Sequence, residues 1–170
     1  MTNAAYDDWQ DWDDDEPGWP PGLGAGGLED DGPDDDLPMP PGGRLAEPDD
    51  VLDFLLPLIG PERAGPMALW CCFVDGDDVT LPLVLPISDM PMRPDRELAT
   101  NVVEQLRMVL EHQLVPDGGL VLAVVRRAGG DRGEVELAWV RALQHAADRA
   151  DVRVRAIAAV GRDRARVLRW

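Results

Sequence analysis

Apolar positions follow no period over residues 1–47 and follow helical and strand periods after them. Helical spacing, with an apolar residue every three or four positions, covers residues 49–59, 95–113 and 134–150. Apolar runs of strand length cover residues 67–74, 79–87, 120–125, 152–160 and 165–169. The order α-β-β-α-β-α-β-β predicts an α/β domain in which helices pack against a mixed β-sheet.

The strand predicted over residues 79–87 contains two prolines, Pro82 and Pro86, four positions apart. Alternate N–H groups of a strand point to the same side, so both missing donors fall on one edge. This spacing predicts a strand at the side of the sheet, or one that is paired on only one side along that edge.

Cys71 and Cys72 are adjacent within an apolar run, so a strand directs them to opposite faces of the sheet. A disulfide between them would be strained, and we expect two buried, reduced thiols. Trp70 and Trp139 lie among apolar neighbours on a predicted strand and a predicted helix, which places both in the core. Trp170 is terminal, so we expect it to be partly exposed.

Acidic residues are concentrated at one end of the chain. Residues 1–50 hold sixteen Asp and Glu against one arginine, a net charge of −15. Residues 51–170 hold seventeen acids against fifteen arginines, a net charge of −2. Segment 1–47, rich in Asp, Gly and Pro, offers too little apolar surface to offset its ordering entropy. We therefore expect a disordered acidic tail over 1–47 and a folded domain over 48–170.

The composition and the net charge of the chain exclude several classes of partner. A strongly acidic chain is not expected to bind nucleic acid directly or to dock on an anionic membrane. No apolar run approaches the roughly 20 residues of a membrane span, and the start of the chain lacks the pattern of a secretory signal. These features indicate a cytoplasmic protein, and they carry no information on its oligomeric state.

The acidic tail includes tryptophans among like charges. Trp9 and Trp12 precede the run Asp13, Asp14 and Asp15. Aromatic rings spaced among charges are typical of a short binding motif, in which charge steers the encounter and a ring fills a pocket. The motif would bind a basic protein surface that has an apolar pocket. The alternative is a solubilising tail in which the tryptophans have no role.

Arginines surround the glycines that follow the strand predicted over 120–125. Arg126, Arg127 and Arg132 lie beside a predicted helix N-terminus, a favourable place for an anion, so they form a candidate anion-binding loop. Alternatively these arginines are solvated, or they pair with Asp131 and Glu134.

The element order and this loop resemble the RadC-like branch of the JAB/MPN (JAMM) domains over roughly residues 48–170. Gly119–Val125 resembles the buried strand of that branch, and residues 126–131 resemble its metal-binding loop. Gly133 and Glu136 stand where the family has a later Ser and Asp. The resemblance implies a mixed sheet with helices against it and, in active members, a zinc site.

The chain departs from the family at the residues that would bind the metal. No histidine occurs between His112 and His145, so both zinc-binding imidazoles of the motif are absent. Ser88 is the only serine, which leaves no Ser-His-Asp triad. We therefore assign no catalytic residue, no metal ligand and no cofactor, and we expect both histidines to be ordinary residues of helix surfaces.

Two functions remain open from the sequence. The first is a non-catalytic interaction or adaptor protein, which joins a metal-free JAB-like domain to an acidic arm that binds a basic partner. The alternative is a hydrolase or a nucleotide-handling enzyme whose site is not recognisable. A further possibility is that the acidic arm folds back over the arginine-rich loop and holds it closed.

Overall fold

The helices and strands follow one another in the order that the hydrophobic pattern predicts. The structure is a computed structural model, which describes residues 42–170 as an α/β domain. Its elements are α1 (Pro48–Ile59), a short 3₁₀ helix (Gly60–Ala64), β1 (Ala68–Val74), β2 (Thr80–Ile87), α2 (Arg96–Gln113), β3 (Gly119–Val125), α3 (Glu134–Ala150), β4 (Arg153–Val160) and β5 (Ala165–Arg169). Asp95 caps α2, since its carboxylate accepts from the N–H of Glu97.

The five strands form one mixed sheet in the order β2-β1-β3-β4-β5. Strands β3 and β4 are parallel neighbours, and the other three pairs are antiparallel. A parallel pair needs a crossover connection, and α3 supplies it. Because β3 and β4 run in the same direction, their carboxyl ends lie side by side.

Helices cover both faces of this sheet, which gives three layers. Neighbouring strand residues face opposite layers: Cys71 packs with α2 and α3, and Cys72 packs with α1. Both thiols are fully buried and unbridged, as predicted. Every residue of β3 is buried, since this central strand has a helical layer on each side.

Strand β2 is an edge strand, which confirms the prediction from its prolines. Pro86 lies opposite Trp70 of β1, Pro82 lies where the β1–β2 register is irregular, and neither proline has an N–H to offer to a further strand. An edge with few donors is a poor template for another strand, so this side of the sheet resists edge-to-edge pairing.

The folded domain begins before Pro48, earlier than predicted. The N–H of Gly42 donates to the carbonyl of Thr80 at 2.9 Å, and that of Leu45 donates to the carbonyl of Asp78 at 2.9 Å. The side chain of Leu45 is completely buried. A short segment that pairs with a distant strand has no period of its own, so composition alone assigned it to the tail.

The tryptophans differ in burial. Trp139 on α3 is 1 % exposed, as predicted, and its indole N–H donates to the carbonyl of Pro91. Trp70 on β1 is only half-buried, so the prediction that it belongs to the core was wrong. The reason is that α1 packs mainly over β4 and β5 rather than over β1. Trp170 is 40 % exposed, as expected, and its ring lies under the guanidinium of Arg155.

Candidate functional site

Two loops meet at the carboxyl ends of β3 and β4. The first joins β3 to α3 over residues 126–133, and the second joins β4 to β5 over residues 161–164. The N–H of Arg126 donates to the carbonyl of Val160, and the N–H of Arg162 donates to the carbonyl of Arg127. These hydrogen bonds extend the parallel pairing beyond the strands and fix the two loops against each other.

Glycines allow these loops to touch through their backbones. A methyl group on Gly130 would overlap the carbonyl of Arg164, and one on Gly161 would overlap the carbonyl of Gly129. Gly130 also has a φ of +90°, which side chains rarely adopt. The β4–β5 turn is closed by a hydrogen bond from the N–H of Gly161 to Arg164. The contact therefore requires glycine, and it holds the backbone of the turn in place.

A buried ion pair lies beneath the first loop. Nε and Nη2 of Arg126 donate to Oε1 of Glu136 at 3.1 and 2.7 Å. Glu136 lies in the first turn of α3 and is 1 % exposed. Side chains at Gly129 and Gly133 would overlap its carboxylate, so these glycines make the space that it fills. Its Oε2 atom is buried and has no hydrogen-bond partner among residues 42–170.

The three arginines of the candidate anion-binding loop do not share one partner. Arg126 pairs with Glu136, which the sequence reasoning did not anticipate. Arg127 and Arg132 are exposed. The backbone N–H of Arg132 donates to Asp131, and this hydrogen bond and the charge of Arg166 hold the pKa of Asp131 below its usual range.

An arginine-lined cleft lies beside these loops. It has a volume of about 350 Å³, and its lining is Leu56, Arg63, Arg162, Asp163, Arg164 and Ala165. Hydrogen bonds from Arg162, followed by the charges of Arg162, Arg63 and Arg127, lower the pKa of Asp163. Sequence reasoning missed this cleft because Arg63 lies far from the turn along the chain. The alternate arginines 162, 164 and 166 were the only signal in the sequence.

The residues at the loop do not fit a zinc ion. The only carboxylate buried there, that of Glu136, is engaged by the guanidinium of Arg126, a cation that cannot serve as a ligand. Within residues 42–170, no three His, Cys, Asp or Glu side chains are grouped as metal ligands would be. His112 on α2 and His145 on α3 are exposed helix-surface residues, as predicted.

The thiols are poorly suited to nucleophilic chemistry. Burial, together with the neighbouring Cys72, raises the pKa of Cys71 far above its usual value. Burial raises the pKa of Cys72 to about 12. Because the thiolate is the nucleophile, both groups stay protonated and unreactive at neutral pH.

The predicted motif of Trp9, Trp12, Asp13, Asp14 and Asp15 lies outside the residues that the structure describes.

No protein-family model matches this chain, and neither a curated protein nor a solved structure matches it. The resemblance to the RadC-like branch of JAB/MPN domains therefore stays a prediction. No helix within residues 42–170 is long and apolar enough to cross a membrane.

Proposed function

We propose that this chain is a non-catalytic interaction or adaptor protein. In this proposal a metal-free, JAB/MPN-like domain carries an acidic segment that binds a basic surface on a partner protein. Trp9 and Trp12 enter an apolar pocket of that surface, and Asp13, Asp14 and Asp15 provide the charge that steers the encounter.

The observation that supports the absence of catalysis is the ion pair between Arg126 and Glu136. Glu136 stands where the resembling family has an aspartate that binds zinc. Here its Oε1 atom receives two hydrogen bonds from a guanidinium. A cation of the protein itself thus occupies the place next to this carboxylate. An ion pair of this kind stabilises the loop and engages the buried carboxylate of Glu136.

The distribution of charge supports binding through the N-terminal segment. Residues 1–41 hold thirteen acids and no basic residue, a net charge of −13. Residues 42–170 hold twenty acids and sixteen arginines, a net charge of −4. Long-range attraction to a basic partner therefore arises mainly from the first 41 residues, and it weakens as salt screens these charges.

Affinity capture with the full-length chain tests this proposal. Three variants are compared with wild type at increasing salt: Trp9→Ala with Trp12→Ala, Asp13, Asp14 and Asp15→Asn, and Asp34, Asp35 and Asp36→Asn. The two Asn variants each remove three negative charges, but only Asp13, Asp14 and Asp15 adjoin the tryptophans. We expect the Trp variant and the Asp13–Asp15 variant to lose a salt-sensitive partner that the Asp34–Asp36 variant retains.

Equal losses in the two Asn variants, with no loss in the Trp variant, would show that the segment acts only through its total charge. Retention of the partner by all three variants would refute binding through the segment. Elemental analysis of the purified protein addresses the enzyme alternative. One zinc per chain that survives dialysis would favour a hydrolase and would contradict the non-catalytic assignment.

A further inference from the structure

The arginine-lined cleft is positive in an acidic protein. Its lining carries three arginines and one aspartate, a net charge of +2, whereas residues 42–170 as a whole carry −4. The arginines come from separate segments: Arg63 from the 3₁₀ helix, and Arg162 and Arg164 from the β4–β5 turn. Guanidinium groups gathered on one cleft raise the local concentration of anions.

The structure fixes the turn that carries two of these arginines. Nε of Arg164 donates to the carbonyl of Gly129 at 3.2 Å, and the backbone N–H of Arg162 donates to the carbonyl of Arg127 at 3.2 Å. Arg63 forms no ion pair with any acid among residues 42–170. The guanidinium of Arg63 is thus available to a ligand. Arg162 and Arg164 lie on a turn whose backbone is already held by hydrogen bonds.

We propose that this cleft binds a phosphate monoester. The phosphate has three peripheral oxygens, and each can accept from a guanidinium of Arg63, Arg162 or Arg164. It carries a charge of about −1.5 to −2 at pH 7, which matches the net charge of the lining. A single carboxylate would neutralise only half of that charge. Leu56 and Ala165 supply an apolar surface for the carbon part of the ester.

Asp163 competes with such a ligand. Its two carboxylate oxygens accept from Nε and Nη2 of Arg162 at 3.0 and 3.1 Å, and both side chains are largely exposed. A phosphate must displace this carboxylate in order to reach the Arg162 guanidinium. Removal of the negative charge at position 163 therefore strengthens binding, whereas removal of an arginine weakens it.

Isothermal titration calorimetry of the full-length chain tests the proposal with phenyl phosphate, inorganic phosphate and benzoate as probes. We expect phenyl phosphate to bind most tightly, because it combines the phosphate with an apolar body. Arg63→Gln and Arg162→Gln should each weaken its binding about three- to tenfold. Asp163→Asn should strengthen it about threefold. Arg141→Gln, which alters an exposed arginine of α3, is the control of equal charge and should have no effect.

Three results would overturn the proposal: no binding of phenyl phosphate to wild type, equal binding of benzoate, or equal weakening by Arg141→Gln and Arg63→Gln. A phosphoserine peptide and free O-phosphoserine then distinguish the sources of the ester. Tighter binding of the peptide assigns the phosphate to a partner protein, and equal binding assigns it to a small molecule. The cleft lies within residues 42–170, so its test can fail independently of the proposed binding through residues 1–41.

Discussion

The ion pair between Arg126 and Glu136 should be a major contributor to the stability of the domain. Nη2 of Arg126 lies 2.7 Å from Oε1 of Glu136, and the two side chains are 20 % and 1 % exposed. Removal of one partner from a buried pair costs about 3–5 kcal/mol, because the remaining charge is left without compensation. Water reaches the guanidinium but not the carboxylate, so the two single variants should differ.

Arg126→Met leaves a buried, unpaired carboxylate, and we expect it to lower the free energy of unfolding by about 3–4 kcal/mol. Glu136→Gln keeps an oxygen that accepts from Arg126, whose guanidinium is partly hydrated. We expect this variant to lose only about 1–2 kcal/mol. The double variant should lose less than the sum of the two, with a coupling energy of about 1–3 kcal/mol.

Arg107→Met is the matched control. Nη1 of Arg107 also lies 2.7 Å from a carboxylate oxygen, that of Glu111, but these side chains are 36 % and 42 % exposed. Nε of Arg107 also donates to Glu104 at 3.0 Å, and both of these pairs are exposed and screened by solvent, so their contribution to stability is small. The two variants therefore remove ion pairs that have the same N–O distance of 2.7 Å but differ in burial.

Urea denaturation of the full-length chain, followed by tryptophan fluorescence at pH 7, measures the difference. With a slope of about 2 kcal/mol per M, Arg126→Met should lower the midpoint by about 1.5–2 M and Arg107→Met by less than about 0.5 M. Equal shifts in the two variants would refute the argument that burial sets the strength of the pair near the candidate site.

Three further outcomes are expected. The double variant Pro82→Thr with Pro86→Thr restores an N–H donor at each of these two positions of the edge strand β2, so it should associate in a concentration-dependent way in sedimentation experiments. A double variant that sediments like wild type would show that the prolines do not protect this edge. Trp139→Ala should cost about 3–5 kcal/mol in thermal or urea unfolding, and an unchanged melting temperature would contradict its burial. Burial raises both cysteine pKa values, so only the unfolded chain loses thiol protons as pH rises from 9 towards 12, and the free energy of unfolding should fall in that range. Substitution of Cys71 and Cys72 by Ala should flatten this dependence, and an equal slope in both proteins would refute it.

Local patterns predicted much of the fold because they record local constraints. The position of β2 at the edge follows from the missing donors of Pro82 and Pro86, and the opposite orientations of Cys71 and Cys72 follow from the pleat of a strand. The half-burial of Trp70 could not be predicted, because an apolar run does not reveal which strands a helix covers.

The candidate site was only partly accessible from the sequence. Arginines near Gly129 and Gly130 indicated that the loop after β3 carries positive charge, and Glu136 was singled out by the family resemblance. The pairing of Arg126 with Glu136 depends on the space left by Gly129 and Gly133. This space forms only when the loop and the first turn of α3 are folded together.

The sequence by itself determined the separation of an acidic segment from a nearly balanced domain, the order of the elements and the edge position of β2. Each of these follows from composition or from contacts between residues close in the chain. Only the tertiary structure decided the strand order, the inclusion of Leu45 in the core and the approach of Arg63 to Arg162 and Arg164. These depend on pairings between distant segments, whose energy comes from burial and from loop packing and leaves no local period in the sequence.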